Sequence, residues 1–194
     1  MSFLIILKRL KQLLNFPYRR SYGSEIKSEI FERWKNARCV FNGDFYSVQT
    51  YSGNGLLGAD PSGSNYLLQP IVSDQELGKA VLDALSKSRL IPLDKYGDYF
   101  DHDANDKQYK NWITEMMGSY GYRSKRQLFK KMNSCNIRLL DGVITIMPYG
   151  HKKLELWTGQ GIVESDYVII PADSSPAEVG AALRLAFSRC RSYV

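Results

Sequence analysis

Polar and apolar positions follow two different periods along this chain, and each period occurs in both halves. Residues 73–89, SDQELGKAVLDALSKSR, and residues 175–191, SPAEVGAALRLAFSRCR, place apolar side chains at helical spacing. Leu77, Ala80, Val81, Ala84 and Leu85 in the first run match Val179, Ala182, Leu183, Ala186 and Phe187 in the second. Each run opens on a serine with a glutamate three residues on. This is the capping box, in which the serine hydroxyl accepts from the N3 amide and the glutamate reaches back to the cap. Helices therefore begin just after Ser73 and Ser175, the second with Pro176 at its first position. Gly78 and Gly180 fall at the same place in the two helices. Glycine inside a helix costs roughly 1 kcal/mol relative to alanine, so its double use predicts a close backbone approach. A phosphate-cradling role would need a glycine-rich loop ahead of the helix, which neither run has.

Ahead of each helix the chain reads as short strands. Cys39-Val40-Phe41 and Phe45 to Tyr51 flank Asn42-Gly43-Asp44, while Ile137 to Leu140 and Val143 to Met147 flank Asp141-Gly142. Asn-Gly and Asp-Gly between β-prone runs predict hairpins, because a two-residue primed turn needs positive φ. Further short strands are expected at Tyr66 to Leu68, Leu154 to Trp157 and Tyr167 to Ile170. Antiparallel strands followed by one helix, twice over, define an α+β fold of two pseudo-repeat halves, about 36–92 and 134–194. Both halves fall within one domain over 19–194. With 194 residues, of which 44% are hydrophobic and 12% aromatic, the chain can bury a core without disulfides or metals.

The first residues form a separate unit in this reading. Phe3 to Leu7 are apolar, but the cations Lys8, Arg9 and Lys11 follow them, the reverse of a secretory signal. No run approaches the roughly 18 apolar residues of a membrane span. An amphipathic helix over 1–18 is expected, with Phe3, Leu7, Leu10 and Leu14 on one face and Lys8, Lys11 and Gln12 off it. Docking of that face on the protein is preferred over contact of residues 1–16 with anionic lipid.

Charge is unevenly spread. Residues 1–20 carry five positive charges and no negative one, and residues 107–138 carry eight against one, so the remainder sums to −6 in a chain of net charge +6. Most of that deficit lies in residues 94–106, DKYGDYFDHDAND, which sum to −4. Such a segment suits a solvated loop. A calcium loop would need a glutamate at its twelfth place, which is missing whether Asp94 or Asp101 starts it. The functional reading is a partner surface: carboxylates Asp94, Asp98, Asp101, Asp103 and Asp106 facing a basic cleft, with Tyr96, Tyr99 and Phe100 as aromatic anchors. The basic stretch 107–138 follows it, and within that stretch residues 120–131 mix Arg123, Lys125, Arg126, Lys130 and Lys131 with tyrosines. That stretch reads either as the solvated face of a helix with Leu128 and Phe129 inward, or as a surface for phosphates and stacked bases.

Catalytic signatures are missing. His102 and His151 lie far apart, and no nucleophile elbow, phosphate loop or metalloprotease helix occurs. Cys39, Cys135 and Cys190 are an odd number without CxxC spacing, so neither a disulfide framework nor a zinc site is indicated. No cofactor, metal or small-molecule substrate is implied, and a reducing cytoplasm is the expected compartment.

Arg19 to Gly23, WKNARCVFNGDFYSVQT at 34–50, SDQELGKAVLDALSKSR at 73–89 and PADSSPAEVGAALRLAFSRCR at 171–191 together resemble the immunity proteins of bacterial contact-dependent growth inhibition systems, the CdiI type. The resemblance implies a cytoplasmic, non-enzymatic inhibitor. Such a protein binds the C-terminal toxin domain of a cognate CdiA effector, commonly a nuclease, one-to-one, and occludes its active site. No single residue's role carries over, since the matching positions are turns and capped helices. By charge logic alone, Asp94, Tyr96, Asp98, Tyr99, Asp101, Asp103 and Asp106 form the expected toxin-binding surface. Arg123, Lys125, Arg126, Lys130 and Lys131 form the alternative, should the toxin present an acidic face. A second architecture-level similarity, to the Whirly type of fold, leaves single-stranded nucleic-acid binding as the other function to test.

Overall fold

A computed structural model describes residues 34–194. The amphipathic helix expected over 1–18 and the Arg19 to Gly23 stretch lie outside the described residues. The first half runs β1 (Lys35–Phe41), β2 (Tyr46–Asn54), β3 (Leu56–Ala59), β4 (Asn65–Leu68) and α1 (Asp74–Ser86). Three helices separate it from the second half: α2 (Tyr96–Tyr99), α3 (His102–Tyr120) and α4 (Lys125–Phe129). The second half runs β5 (Asn133–Leu140), β6 (Val143–Pro148), β7 (Gly150–Lys153), β8 (Leu156–Thr158), β9 (Val168–Pro171), α5 (Pro176–Ser188) and β10 (Arg191–Ser192).

Seven strands form one antiparallel sheet in the order β3-β2-β1-β5-β6-β9, with β4 also pairing to β2. The leading strands of the two halves, β1 and β5, meet at its centre with Cys39 opposite Cys135. The expected α+β architecture of two strand-and-helix halves is what the chain adopts. β7, β8 and β10 make a second, three-stranded sheet. There the expected strand over Leu154 to Trp157 begins later, at Leu156, because Leu154 and Glu155 turn the chain between β7 and β8.

The two hairpins solve the same problem differently. Asp141 and Gly142 both take positive φ, 50° and 78°, and close a two-residue turn with Leu140 opposite Val143. At Asn42-Gly43 the last pair is Phe41 with Tyr46, so the loop is four residues long. The reason is Phe45, which leaves the hairpin to be fully buried in a second core. Asn42 stabilises the longer loop: its Oδ1 accepts from the Asp44 amide at 3.1 Å, and its Nδ2 donates to the Leu128 carbonyl at 3.1 Å.

Both capping boxes form. Ser73 Oγ accepts from Glu76 N at 3.2 Å, and Ser175 Oγ accepts from Glu178 N at 3.3 Å, with each glutamate accepting from the serine amide. α1 and α5 lie on one face of the large sheet and bury the predicted stripes against it. They touch along their glycines. A Cβ on Gly78 would lie 2.6 Å from the Pro176 carbonyl carbon and closer still to its oxygen, and one on Gly180 would lie 2.7 Å from the Asp74 carbonyl carbon. Arg184 crosses from α5 to the first half, donating to Asp74 Oδ1 at 2.7 Å, to Tyr46 Oη at 2.6 Å and to the Val72 carbonyl. The other side carries the second core. Phe45 meets Ile113 and Met116 of α3, Leu128 and Phe129 of α4, and Met132, flanked by Trp157 of β8.

Candidate partner-binding surface

The acidic segment is mostly helical where a solvated loop was expected. Three rings pin it to the β2–β3 edge. The Tyr96 hydroxyl accepts from the Asn54 amide at 2.8 Å and donates to the Asn54 carbonyl. Tyr99 donates to the Gly58 carbonyl at 3.3 Å, and burial pushes its phenol up to about 12. Phe100 packs edge-on to both rings, each with centroids 4.9 Å away. The aromatic residues expected to anchor a partner are thus used largely within the chain.

The carboxylates divide into two groups. Asp101 caps α3, accepting from the Ala104 amide at 2.7 Å, which satisfies an otherwise orphan donor and complements the helix dipole. Asp106 pairs with Lys110 one turn on at 2.6 Å, and that ammonium, helped by His102 and Lys125, holds its carboxyl below the ordinary range. Asp94 and Asp98 have no ion pair among the described residues, and Asp103 meets only His102, at 3.4 Å with both side chains in solvent. Asp94, Asp98 and Asp103 are therefore the carboxylates of this segment not engaged with a Lys, an Arg or a helix cap among the described residues.

α4 forms with Leu128 and Phe129 buried and Arg123, Arg126, Lys130 and Lys131 exposed, an arrangement that suits either reading of this stretch. Lys125 is committed elsewhere, 3.0 Å from Glu155 and 5.9 Å from the centre of the Tyr109 ring. Between α3, the 91–99 segment and β2 lies an open groove of about 910 Å³. Asp98 and Glu115 on its walls are interleaved with Arg89, Lys95 and Lys107.

Arg89 anchors one wall of that groove through Asp60, with Nε to Oδ2 at 2.7 Å and Nη2 to Oδ1 at 3.0 Å. Burial works against ionisation of Asp60, but the Arg89 guanidinium, Ser52 and the Ser62 amide outweigh it and hold the carboxyl below its usual range. A depressed folded pKa stabilises the fold above the unfolded value, about 3.9, and that contribution is lost as pH falls through the folded value. Asp60→Asn is accordingly expected to cost about 2 kcal/mol at pH 7, and the gap from the parent should close below about pH 4. Urea denaturation at several pH values measures it.

The sheet face opposite α1 and α5 carries a polar set that the charge runs did not reveal. Asn36-Ala37-Arg38 of β1 and Asn136-Ile137-Arg138 of β5 repeat each other, and the antiparallel register sets Arg38 opposite Asn136 and Arg138 opposite Asn36. Arg38 donates to Ser134 Oγ at 2.9 Å and lies 5.6 Å from the Trp157 ring centre. Asn136 donates to the Tyr149 hydroxyl at 2.7 Å, and Arg138 stacks on Trp34 at 4.4 Å. Strand alternation was the signal available for these residues, since Ala37, Cys39, Cys135 and Ile137 between them are the buried set.

Neither histidine joins a catalytic arrangement among the described residues. His102 is exposed beside Asp103, while His151 is buried, stacked on Trp157, with Nε2 3.0 Å from the Leu154 carbonyl oxygen. Among the described residues no three His, Cys, Asp or Glu side chains are placed to hold a metal ion, and no helix is long and apolar enough to cross a membrane.

The two-half α+β scaffold thus carries its exposed charge on the segment between the halves, from α2 to α4. Residues 35–190 match the family model described as CdiI, CDI immunity protein. The chain is 44% identical over 167 residues to the immunity protein CdiI-YPIII of Yersinia pseudotuberculosis serotype O:3, covering 80% of this chain and 94% of that protein. It superposes with a TM-score of 0.74 and 42% identity on a chain of the CdiA-CT/CdiI toxin and immunity complex from Yersinia pseudotuberculosis, over 81% of this chain and 98% of that one. A Neisseria meningitidis protein of unknown function also superposes, with a TM-score of 0.76 and 34% identity over 89% and 100% of the two chains. The chain belongs to the CdiI family of CDI immunity proteins.

Proposed function

We propose that this protein is a cytoplasmic immunity protein that binds the C-terminal toxin domain of its cognate CdiA effector as a one-to-one heterodimer. The observation that carries the reading is the 42% identity, over 98% of its length, to a chain of a toxin and immunity complex. The protein acts as a stoichiometric inhibitor without catalysis of its own. It occludes the toxin's active site, and a nuclease is the toxin class its carboxylates suit. A cleft that holds phosphate is basic, so Asp94, Asp98 and Asp103 would stand where phosphates lie, with Asp101, Asp106, Tyr96 and Tyr99 shaping the segment that presents them. Such placement speeds encounter and fixes register even on a chain whose net charge is +6.

Co-expression with the toxin domain encoded beside it, followed by pull-down in high salt, tests the reading. Recovery of a one-to-one complex together with restored growth is the expected result. Failure of both would remove the proposal and direct attention to single-stranded nucleic acid. That binding would collapse as salt rises through counterion release, whereas a complex with an apolar interface core would persist.

A further inference from the structure

The chain's three cysteines, scattered in sequence, are all unbridged, and the fold gathers them at the centre of the sheet. Cys39 and Cys135 face each other across β1 and β5, and Cys190 follows the last turn of α5. The Cys135 and Cys190 sulfurs are 3.7 Å apart. The Cys39 sulfur lies 3.8 Å from the Val40 carbonyl oxygen. Cys39 and Cys135 are wholly buried, whereas Cys190 is only partly so and sits between α5 and β10.

We propose that Cys135 and Cys190 are a redox-responsive pair, which a peroxide converts to a disulfide that fastens the C-terminal end of the fold to a central strand. The Cys190 thiolate attacks one peroxide oxygen, the O–O bond breaks and water leaves, giving a sulfenic acid. The Cys135 sulfur then attacks the Cys190 sulfur, the S–O bond breaks, and the departing hydroxide takes the Cys135 proton as a second water. Two thiols supply the two electrons that reduce one peroxide to two waters.

The local chemistry assigns these roles. The contact with Cys135, opposed by burial and helped by backbone hydrogen bonds to Tyr149 and Ser134, holds the Cys190 thiol below the ordinary range, which favours the attacking thiolate. Burial pushes Cys135 well up, so it waits as the resolving thiol. Closing the gap to a bond of about 2.05 Å requires the sulfurs to approach by less than two ångströms. Cys190 lies directly before the two-residue edge strand β10. Once bridged, α5 and β10 can no longer separate from β5 without breaking a covalent loop.

The experiment treats the reduced full chain with stoichiometric hydrogen peroxide, then counts thiols, maps peptides without reductant and records thermal unfolding. The expected result is a peptide joining Cys135 to Cys190, one remaining thiol at Cys39, and a raised unfolding midpoint that dithiothreitol reverses. Cys39→Ser should behave as the parent, and Cys190→Ser should lose both link and shift. Three thiols persisting in the folded chain, sulfinic acid at Cys190 without a link, or a link through Cys39 would each overturn the proposal. Because the linked peptide is read in the unaltered chain, a variant that fails to fold leaves the test decisive.

Discussion

Replacing Gly78 with alanine is expected to destabilise the fold by about 2–4 kcal/mol, although alanine is the better helix former by roughly 1 kcal/mol. The added methyl has no direction in which to yield. It would fall within bonding range of the Pro176 carbonyl, a backbone group fixed by the first turn of α5, and Gly180 meets the Asp74 carbonyl reciprocally. The helices would have to part, opening the layer of Leu77, Val81, Val179 and Leu183 beneath them. The same exchange at Gly118 provides the contrast. That glycine lies in α3, where an added Cβ would meet nothing from the rest of the fold within 4 Å, so Gly118→Ala should stabilise by about 0.5–1 kcal/mol. Urea denaturation of the two variants should therefore move the midpoint in opposite directions. Against a total stability of about 5–15 kcal/mol, the Gly78 loss is large enough to reduce soluble yield in cells. Equal tolerance at both positions would mean that the helices do not touch as described.

The contrast also shows what kind of information the sequence carries. α1 and α5 are legible in it because every local signal agrees: capping box, stripe and a repeated glycine. The second hairpin is legible for the same reason. The first has a longer turn than its Asn-Gly predicts, because what decides it is Phe45, a ring claimed by a core made of α3, α4 and β8, far along the chain. α3 itself gives a weak pattern. Its fully buried side chains are only Ile113 and Met116, and its acidic start, polar enough to suggest a loop, is there to cap the helix and pair along it. The pairing of β1 with β5 is non-local and leaves no mark in either strand alone. The repeated Asn-x-Arg of those strands is visible, yet its meaning depends on that register. For the candidate surface, the charge of residues 94–106 is legible, but the division between structural and available carboxylates is not. Capping by Asp101 and the commitment of Tyr96 to Asn54 exist only once the helices are placed.

That division yields the second large effect. Reversing Asp94, Asp98 and Asp103 together to lysine should leave folding intact, because none of the three caps a helix, and none is in an ion pair with Lys or Arg among the described residues. Association with the cognate toxin should nevertheless slow by about 10- to 100-fold at low salt, with a loss of affinity of similar size. Long-range steering is screened within about 10 Å at 0.1 M salt, so the gap between variant and parent should narrow as salt rises. Reversing Arg126, Lys130 and Lys131 to glutamate tests the neighbouring surface with the same number of charges and the same readout. On a basic toxin that set should speed association, since it removes repulsion from a chain of net charge +6. If the aspartate set is silent and the basic set abolishes binding, the toxin presents an acidic face and the interface lies on α4. If both sets are silent while the complex still forms, charge does not steer it, and the polar face of Arg38 and Arg138 becomes the surface to alter next.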